Sequence, residues 1–394
     1  MAKKQADENL TRRDFLKQAA AAAAAATAAS AGLGTGIPAV FAAAPKTAKP
    51  GMKYRTLGRT KLKVSELGLG TIRTGNAAVI HRALDLGLNF FDTAECYRDG
   101  NSEIDLGKAL KGRRDKAIVA TKWHPESYDA KGLIASVDGS LKRLAMDHVE
   151  LIQIHGAGNA GDVEREHIWE AFTTLRKAGK VRFNGLSTHG NQVAVMQAAI
   201  KTGWYDAVLP GHSAFTADRI GPVLAEAKQA NVGVIIMKAL APAHEGRKLG
   251  AFKGLKGNPY QQALQWVLKD PNVSTVIVDM PSFEELEEDY AAVATPANLA
   301  ELAEFETAVA AFAAGSCHLC GACTGQCRFG VRVADIMRHL LYHDGYGDRA
   351  HAIARYRELP VSAAPCADCS SCAVVCPWGV PVRARMERAN VLLA

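Results

Sequence analysis

The basic residues of this 394-residue chain are not gathered into a run anywhere along it. Lys and Arg number 47 against 40 Asp and Glu, which gives a net charge of +7. Nucleic-acid-binding surfaces need clustered basic residues, and that pattern is missing here. The composition, 48% hydrophobic and 22% charged, is instead typical of a soluble globular protein, and we expect no nucleic-acid partner.

A long apolar run of the membrane-spanning kind is also missing. The alanine-rich N-terminal stretch is interrupted by glycines and by Pro38, which makes it a poor bilayer span. It follows the twin arginines Arg12 and Arg13 and ends in small residues suited to cleavage. These features resemble a twin-arginine (Tat) export signal, the type that carries folded proteins. We therefore predict a signal peptide over residues 1–44, a linker over residues 45–51, and a periplasmic protein without a transmembrane segment after cleavage.

Short apolar runs alternate with helix-length segments through the middle of the chain. Eight runs have the length and composition of buried strands. They are Leu67–Thr71, Asn89–Thr93, Ala117–Lys122, Val149–His155, Val181–Ser187, Ala207–Leu209, Gly233–Lys238 and Thr275–Val278. Helical patterns lie between them at Val79–Leu86, Ile134–Leu144, Ile168–Lys177 and Pro259–Leu268. Eight strands with intervening helices over roughly 240 residues match the size of a TIM (β/α)8 barrel, an α/β fold that we predict over residues 52–300.

The glycine-rich phosphate loop of the alternative fold, a doubly wound open sheet, is incomplete. That fold places three glycines at fixed spacing after its first strand. The segment Leu67–Thr71 reads Leu-Gly-Leu-Gly-Thr and supplies only two of them. The sequence therefore favours the barrel.

Side chains suited to proton transfer follow three successive predicted strands. Asp92 and Tyr97 follow the second strand, Lys122 closes the third, and His155 closes the fourth. Each has an ordinary structural explanation by itself, as a helix cap, a surface charge or a core histidine. In a TIM barrel, however, the carboxyl ends of the strands meet to form the active site. There an ammonium group would lower the pKa of a phenol, a carboxylate would hold that ammonium, and an imidazole would orient a substrate oxygen.

The same residues resemble the catalytic tetrad of the aldo/keto reductase family. The matching segments, which together cover about residues 52–295, are Asp92–Tyr97, Lys122, Ile154-His155, Lys53–Thr60, Gly179–Arg182 and Gly185–Ser187. The resemblance implies an oxidoreductase that interconverts a carbonyl compound and an alcohol. It implies that Tyr97 is the acid/base and that His155 orients the substrate. Lys122 and Asp92 would tune the phenol.

The positions that bind the nicotinamide cofactor in that family are altered. Where the family usually has a Ser-Asn pair, this chain has Ser187 and Thr188, and no Gln lies within Ala207–Gly211. Where NADP-dependent members hold the 2'-phosphate, Val278–Asp289 contains six carboxylates, which would repel a phosphate or cap the helix that follows. We expect NADP(H) not to bind. NAD(H), contacted by Ser187 and Thr188, stays open, as does a barrel that has lost the cofactor.

Cysteine is nearly absent from the first 316 residues, which contain only Cys96. From residue 317 onward it appears as two quartets of identical spacing. The quartets are Cys317, Cys320, Cys323, Cys327 and Cys366, Cys369, Cys372, Cys376. Bacterial ferredoxins bind two 4Fe-4S clusters with this spacing, and the fourth cysteine of each quartet ligates the other cluster. Crossing would join Cys376 to the first three cysteines and Cys327 to the second three. The spacing alone also allows each quartet to bind its own cluster.

Structural zinc and disulfides explain the quartets less well. Structural zinc generally uses two separated cysteine pairs, and a disulfide framework does not require the same quartet twice. Arg328 replaces the proline of the small ferredoxins after the first quartet, and the insert 328–365 has a helical pattern at Val333–Leu341. We therefore predict a small, mainly helical two-cluster ferredoxin-type domain over residues 310–394. Cys96 is interpreted as a loop residue.

Two functions fit these constellations. The first is an iron–sulfur oxidoreductase in which the clusters relay electrons between the barrel and a redox partner protein or a quinone-linked carrier. The second is an electron-transfer or binding subunit whose barrel no longer uses a nicotinamide cofactor. The complete tetrad favours the first, and the altered nucleotide positions favour the second.

Overall fold

The computed structural model describes residues 51–125 and 127–394. The predicted signal peptide, and all but the last residue of the predicted linker, lie outside the described residues. Among the helices of the described ranges, none combines the length and the apolar character needed to cross a bilayer.

Eight parallel strands form a closed barrel, as the sequence predicted. They are β3 (Leu67–Gly70), β4 (Phe90–Asp92), β5 (Ile118–Trp123), β6 (Val149–Ile154), β7 (Val181–Thr188), β8 (Ala207–Pro210), β9 (Gly233–Ile236) and β10 (Thr275–Asp279). Each strand pairs with the next along the chain, and β10 pairs with β3 to close the ring. All eight predicted runs therefore fall on barrel strands.

A short hairpin covers the amino end of the barrel. Strands β1 (Tyr54–Thr56) and β2 (Lys63–Ser65) pair antiparallel. Leu57 follows β1, is fully buried, and packs with Phe90, Leu151 and Ile235 from the barrel interior. The barrel is thus filled by side chains at this end, and a site can form only at the other end.

Helices surround the barrel, and some of them begin at polar capping residues. They are α1 (Ala77–Asp85), α2 (Asn101–Leu110), α3 (Ala130–Leu144), α4 (Glu166–Lys177), α5 (Gln192–Thr202), α6 (Ala217–Gln229), α7 (Ala241–Lys248), α8 (Pro259–Leu268), α9 (Phe283–Ala294) and α10 (Leu299–Ala313). Asn76, Asp129 and Asn258 each accept a hydrogen bond from a backbone N–H of the first turn of α1, α3 and α8. The four helical patterns found in the sequence lie within α1, α3, α4 and α8.

Helix α10 crosses the boundary predicted near residue 300. Its residues Leu302, Phe305 and Val309 are buried in the same hydrophobic core as the barrel helices. The barrel unit therefore extends through α10, because the apolar face of that helix packs against α8 rather than against the cysteine region.

The C-terminal region is mainly helical and has its own small core. Its helices are α11 (Val333–Asp344), α12 (Arg349–Arg357) and α13 (Val382–Leu393), and α11 contains the predicted segment Val333–Leu341. Ile336, Met386 and Leu393 are buried together in this core. The region belongs to the same compact unit as the barrel.

A glycine allows the first cysteine loop to touch the barrel. Gly321 has φ +75°, and a Cβ on it would lie 2.9 Å from the Cα of Gly190, in the loop between β7 and α5. A side chain would therefore meet both a backbone clash and an unfavourable conformation. Only glycine lets these two loops approach so closely.

His212 is a buried, uncharged histidine behind the barrel mouth. It is 3% exposed, and its Nδ1 lies 3.0 Å from the hydroxyl oxygen of Thr216. Burial lowers the pKa of His212 to about 4, and the nearby Asp270 opposes this shift only in part. As the pH falls below about 6.5, the unfolded chain takes up a proton at this position that the native protein does not.

We predict that His212→Asn weakens the loss of stability on acidification. Between pH 7 and pH 5.5 the free energy of unfolding of the native protein should fall by about 1 kcal/mol more than that of the variant. The reason is that His212 takes up a proton in the unfolded chain over this range, whereas an asparagine at this position does not. Anaerobic urea unfolding at both pH values measures the difference. His167→Asn, at an exposed histidine, is the control and should follow the native protein. Equal pH dependence in His212→Asn would contradict the prediction.

Candidate active site at the barrel mouth

Three residues of the predicted tetrad meet at the carboxyl ends of β4 and β5. The ammonium of Lys122 donates hydrogen bonds to the carboxylate of Asp92, to the backbone oxygen of Thr93 at 2.7 Å, and to the hydroxyl of Tyr97 at 3.2 Å. Lys122 and Asp92 are each 1% exposed. Such a buried charge requires a paired and hydrogen-bonded partner, which this arrangement supplies.

Gln153 completes the support of Asp92 and was not identified from the sequence. Its side-chain Nε2 donates to Oδ2 of Asp92 at 3.0 Å from within β6. Lys122 occupies the other carboxylate oxygen. The place of Gln153 within a buried barrel strand is the signal that could have identified it, because an amide buried in a barrel needs a polar partner.

The phenol of Tyr97 has a raised pKa, opposite to the expectation that Lys122 would lower it. Burial is the main cause, and the negative charge of Asp92 adds to it. Because the charge of Lys122 is already neutralised by Asp92, it has little left to stabilise a phenolate. Tyr97 is therefore in its protonated form, the form that donates a proton to a carbonyl oxygen.

His155 joins the other three from the end of β6. Its ring centre is 5.7 Å from that of Tyr97, and its Nδ1 is 3.4 Å from Sγ of Cys96. Burial, reinforced by the nearby Lys122, holds the pKa of His155 well below its ordinary value. The imidazole is therefore neutral and can donate a hydrogen bond from one ring nitrogen.

A second lysine at the mouth, Lys238, was also missed. It follows β9 in a left-handed conformation with φ 65°. Its ammonium lies 3.3 Å from the hydroxyl of Tyr342 and 5.2 Å from the ring centre of Tyr346. Although burial alone would lower it, these phenols raise the pKa of Lys238. The sequence shows that a lysine lies at the end of a predicted strand. It does not show that Tyr342 in α11 and Tyr346 after it would contact that lysine.

The two residues predicted to contact a nicotinamide are engaged in local bonds. The hydroxyl of Ser187 accepts from the backbone N–H of Gly156 at 3.0 Å, and that of Thr188 donates to the backbone oxygen of Gly190 at 2.9 Å. Both residues are buried. These contacts stabilise the loops at the ends of β6 and β7.

Gln192, in the first turn of α5, reaches the end of β8. Its side-chain oxygen accepts from the backbone N–H of Gly211 at 2.6 Å. Ala207–Gly211 itself contains no Gln, and the fold brings Gln192 there from the start of α5. This contact links distant segments of the chain, so strand patterns could not reveal it.

Several acidic residues after β10 have basic or polar partners. Asp279 and Glu285 lie 2.7 Å and 3.6 Å from the guanidinium of Arg73. Glu287 pairs with Arg82 at 2.6 Å. The guanidinium of Arg73 is thus already neutralised by carboxylates. The side chain that caps α9 is that of Ser282 and not one of the carboxylates.

The structure divides the eight C-terminal cysteines into two groups of four. The proximal cysteine set consists of Cys317, Cys320, Cys323 and Cys376, and the distal cysteine set consists of Cys327, Cys366, Cys369 and Cys372. The other thiols of the proximal set help to raise the pKa of Cys317, and those of the distal set help to raise the pKa of Cys366. This grouping exchanges the fourth cysteine between the quartets. All nine cysteines lie in the described ranges, and none forms a disulfide there.

The proximal cysteine set lies against the barrel mouth. Cys317 lines a cavity with about 250 Å³ of empty volume together with Gln192 and Lys238. The guanidinium of Arg219, in α6, donates to the backbone oxygen of Cys320 at 3.3 Å. The distal cysteine set surrounds a separate cleft of about 440 Å³, partly open to solvent and lined by C-terminal residues.

Residues 66–249 match the aldo/keto reductase family. The chain is 35% identical over 237 residues to the uncharacterized oxidoreductase YrpG of Bacillus subtilis, covering 52% of this chain and 71% of that protein. It is 31% identical over 282 residues to L-galactose dehydrogenase of Arabidopsis thaliana, covering 61% and 88%. The fold is similar to that of an aldo-keto reductase from Klebsiella pneumoniae in complex with NADPH, with a TM-score of 0.57 at 24% identity, covering 65% of this chain and 94% of that one.

The ion pair of Lys122 and Asp92 predicts a strong dependence of stability on both partners. Asp92→Asn leaves a buried ammonium without its counter-charge and should lower the free energy of unfolding by about 3–5 kcal/mol. In the double variant Asp92→Asn/Lys122→Met, the loss should be smaller than in Asp92→Asn alone, because the uncompensated charge is gone. Anaerobic urea unfolding of the variants measures these differences. If the double variant lost as much free energy of unfolding as Asp92→Asn and Lys122→Met lose in sum, the pair would not interact.

Proposed function

This chain belongs to the aldo/keto reductase family, and on that premise we propose that it is an iron–sulfur oxidoreductase. Its barrel interconverts a carbonyl compound and an alcohol, and its C-terminal region relays the electrons. Reduction of one carbonyl group consumes two electrons and two protons. Two clusters that each pass one electron match this stoichiometry.

The barrel supplies the proton that the carbonyl oxygen takes up, and the second proton, which forms the C–H bond, comes from water. Tyr97 is protonated and hydrogen-bonded to Lys122 at 3.2 Å, so its hydroxyl can donate to the oxygen of a carbonyl as negative charge develops there. Lys122 holds the hydroxyl in place at the mouth, and because the pKa of Tyr97 is raised, the phenolate that remains takes up a proton again readily. His155 is neutral and half-buried at the same mouth, where it can hold the substrate oxygen by a hydrogen bond.

The two cysteine sets suit 4Fe-4S clusters. Each offers four thiols, and the four of the distal set line one cleft. Soft thiolate ligands in this spacing are typical of iron–sulfur centres, which supply one-electron transfer when they are bound. The burial that raises the pKa of Cys317 to about 12 also disfavours a bare thiolate, so a cation is needed to stabilise four of them together.

The position of the proximal cysteine set at the barrel mouth is the observation that supports the relay best. Cys317 shares a cavity with Lys238 and Gln192, both of which belong to loops at the carboxyl ends of the strands. Electrons entering at the distal set would thus be carried toward the catalytic residues. Cys372, in the distal set, is exposed and leaves that set accessible to a redox partner protein or a quinone-linked carrier.

We propose that this relay replaces a soluble nicotinamide as the source of electrons. The similar Klebsiella pneumoniae protein is in complex with NADPH. In this chain, Tyr342 and Tyr346 of the C-terminal region cover Lys238 at the mouth, and Arg73 is already paired with carboxylates. Export by the twin-arginine pathway to the periplasm fits this proposal, because cluster-loaded proteins cross folded and nicotinamides are scarce outside the cytoplasm.

We expect that substrate reduces the clusters without added nucleotide. Anaerobically purified protein with both clusters oxidised is mixed with a panel of small primary and secondary alcohols, and loss of visible absorbance is followed by stopped flow. Tyr97→Phe should slow the reaction by about 100- to 10,000-fold, because the phenol exchanges a proton in the rate-limiting chemistry. Tyr54→Phe, whose hydroxyl bonds to Gly87 on the amino-end hairpin, is the matched control and should react normally.

Chemical reduction by dithionite is the reference against which the alcohol reaction separates the two candidate functions. Dithionite should bleach the native protein and Tyr97→Phe equally, because it bypasses the barrel. Bleaching by alcohols that is unaffected in Tyr97→Phe would support the electron-transfer subunit with an idle barrel. Bleaching that appears only with NADH or NADPH would overturn the proposed source of electrons.

A further inference from the structure

Three metal-binding side chains converge beside the tetrad. The Sγ atom of Cys96 and one ring nitrogen each of His124 and His155 all lie within 4.8 Å of one another. Sγ of Cys96 is 3.4 Å from Nδ1 of His155, and the rings of His124 and His155 meet edge-on with centres 5.3 Å apart. A zinc ion at ordinary bond lengths in a tetrahedral site separates its sulfur and nitrogen ligands by about 3.6 Å.

The barrel holds these three side chains on neighbouring strand ends. Cys96 follows β4, while His124 and His155 come directly after β5 and β6. Trp123 and Ile154, the residues before the two histidines, are paired in the sheet, and the backbone N–H of His155 donates to the oxygen of Trp123 at 2.8 Å. Two of the three side chains are therefore held directly at strand ends, and Cys96 reaches them from the turn after β4.

Glu95 fixes the position of His124 from behind. One of its carboxylate oxygens accepts from the backbone N–H of His124 at 2.6 Å, and the other accepts from the hydroxyl of Ser136 at 2.6 Å. Support of this kind around a ligand sets its orientation and strengthens metal binding. His124 is exposed, which gives an ion a path from solvent, whereas Cys96 and His155 are partly buried.

We propose that Cys96, His124 and His155 bind one zinc-like divalent metal ion at the mouth of the barrel. One thiolate and two imidazoles are the ligands of a borderline-soft transition metal, whereas hard cations such as Mg²⁺ require oxygen. Three protein ligands leave a fourth position open, which is the arrangement of metal sites that take water or substrate. This site is separate from both cysteine sets.

The ion would also define the role of His155. Nδ1 is the nitrogen that faces Cys96, so metal binding there places the ring proton on Nε2. That nitrogen then acts only as a donor and can hold a substrate oxygen. The binding of the ion stands on its own geometry, but this consequence for His155 rests on the function proposed above.

The test measures zinc on the anaerobically purified, cluster-loaded protein. After equilibrium dialysis against micromolar zinc, elemental analysis should find one zinc per chain in addition to the cluster iron. Zinc X-ray absorption should show one sulfur near 2.3 Å and two nitrogens near 2.0–2.1 Å, about the distances of such ligands. Cys96→Ala and His124→Ala should each weaken zinc binding by at least about 100-fold, since loss of a direct ligand exceeds the effect of losing a supporting residue.

His167→Ala is the matched control, because His167 is an exposed histidine whose ring lies 3.0 Å from the backbone oxygen of Tyr128 and outside the proposed site. It should bind zinc as the native protein does, with unchanged iron content. Zinc bound by sulfur alone, zinc that persists in Cys96→Ala and His124→Ala, or no zinc after dialysis would each overturn the site.

A separate readout addresses the role of His155. Removing zinc with dipicolinate should slow bleaching of the clusters by alcohol, and adding zinc back should restore it, with cluster iron unchanged. If zinc binds as described and its removal leaves the rate unaltered, the metal site stands and its effect on His155 is overturned. If alcohol never bleaches the clusters while zinc binds normally, the proposed function fails and the metal site does not.

Discussion

Closure of eight parallel strands into one ring is the constraint on which the rest of this structure depends. Because every strand runs in the same direction, all carboxyl ends meet at one mouth, and residues far apart in the sequence become neighbours there. Asp92, Lys122 and His155 come from three successive strands in this way. The hairpin and Leu57 fill the opposite end, so polar chemistry has one place to form.

The mouth collects buried charge, and the protein compensates each charge differently. Lys122 is neutralised by a carboxylate that Gln153 also supports. Lys238 instead faces two phenols of the C-terminal region. Burial alone would raise the pKa of Tyr342, but the charge of Lys238 lowers it. The first pairing leaves Tyr97 protonated and ready to donate, whereas the second joins the C-terminal region to the barrel. One lysine thus belongs to the proposed catalytic group, and the other contacts the C-terminal region.

The C-terminal region packs against the mouth of the barrel. Gly321 and Arg219 hold the first cysteine loop against the barrel, and Tyr346 accepts a hydrogen bond from Arg73 through its backbone oxygen. These contacts place the first cysteine loop beside the loops that follow β7 to β9. The barrel of the aldo/keto reductase family and the cysteine-bearing C-terminal region are therefore joined at the barrel mouth.

Alternating apolar runs and strand-end polar residues were enough to predict the barrel, its eight strands and the group of Asp92, Tyr97, Lys122 and His155, because these follow from local pattern and one topological rule. The cysteine spacing likewise defined two quartets. Only the tertiary structure decided the exchange of Cys327 and Cys376 between them, the tyrosines over Lys238, the support from Gln153, and the meeting of Cys96 with two histidines. Each of these depends on contacts between segments distant in sequence, whose distances no local pattern encodes.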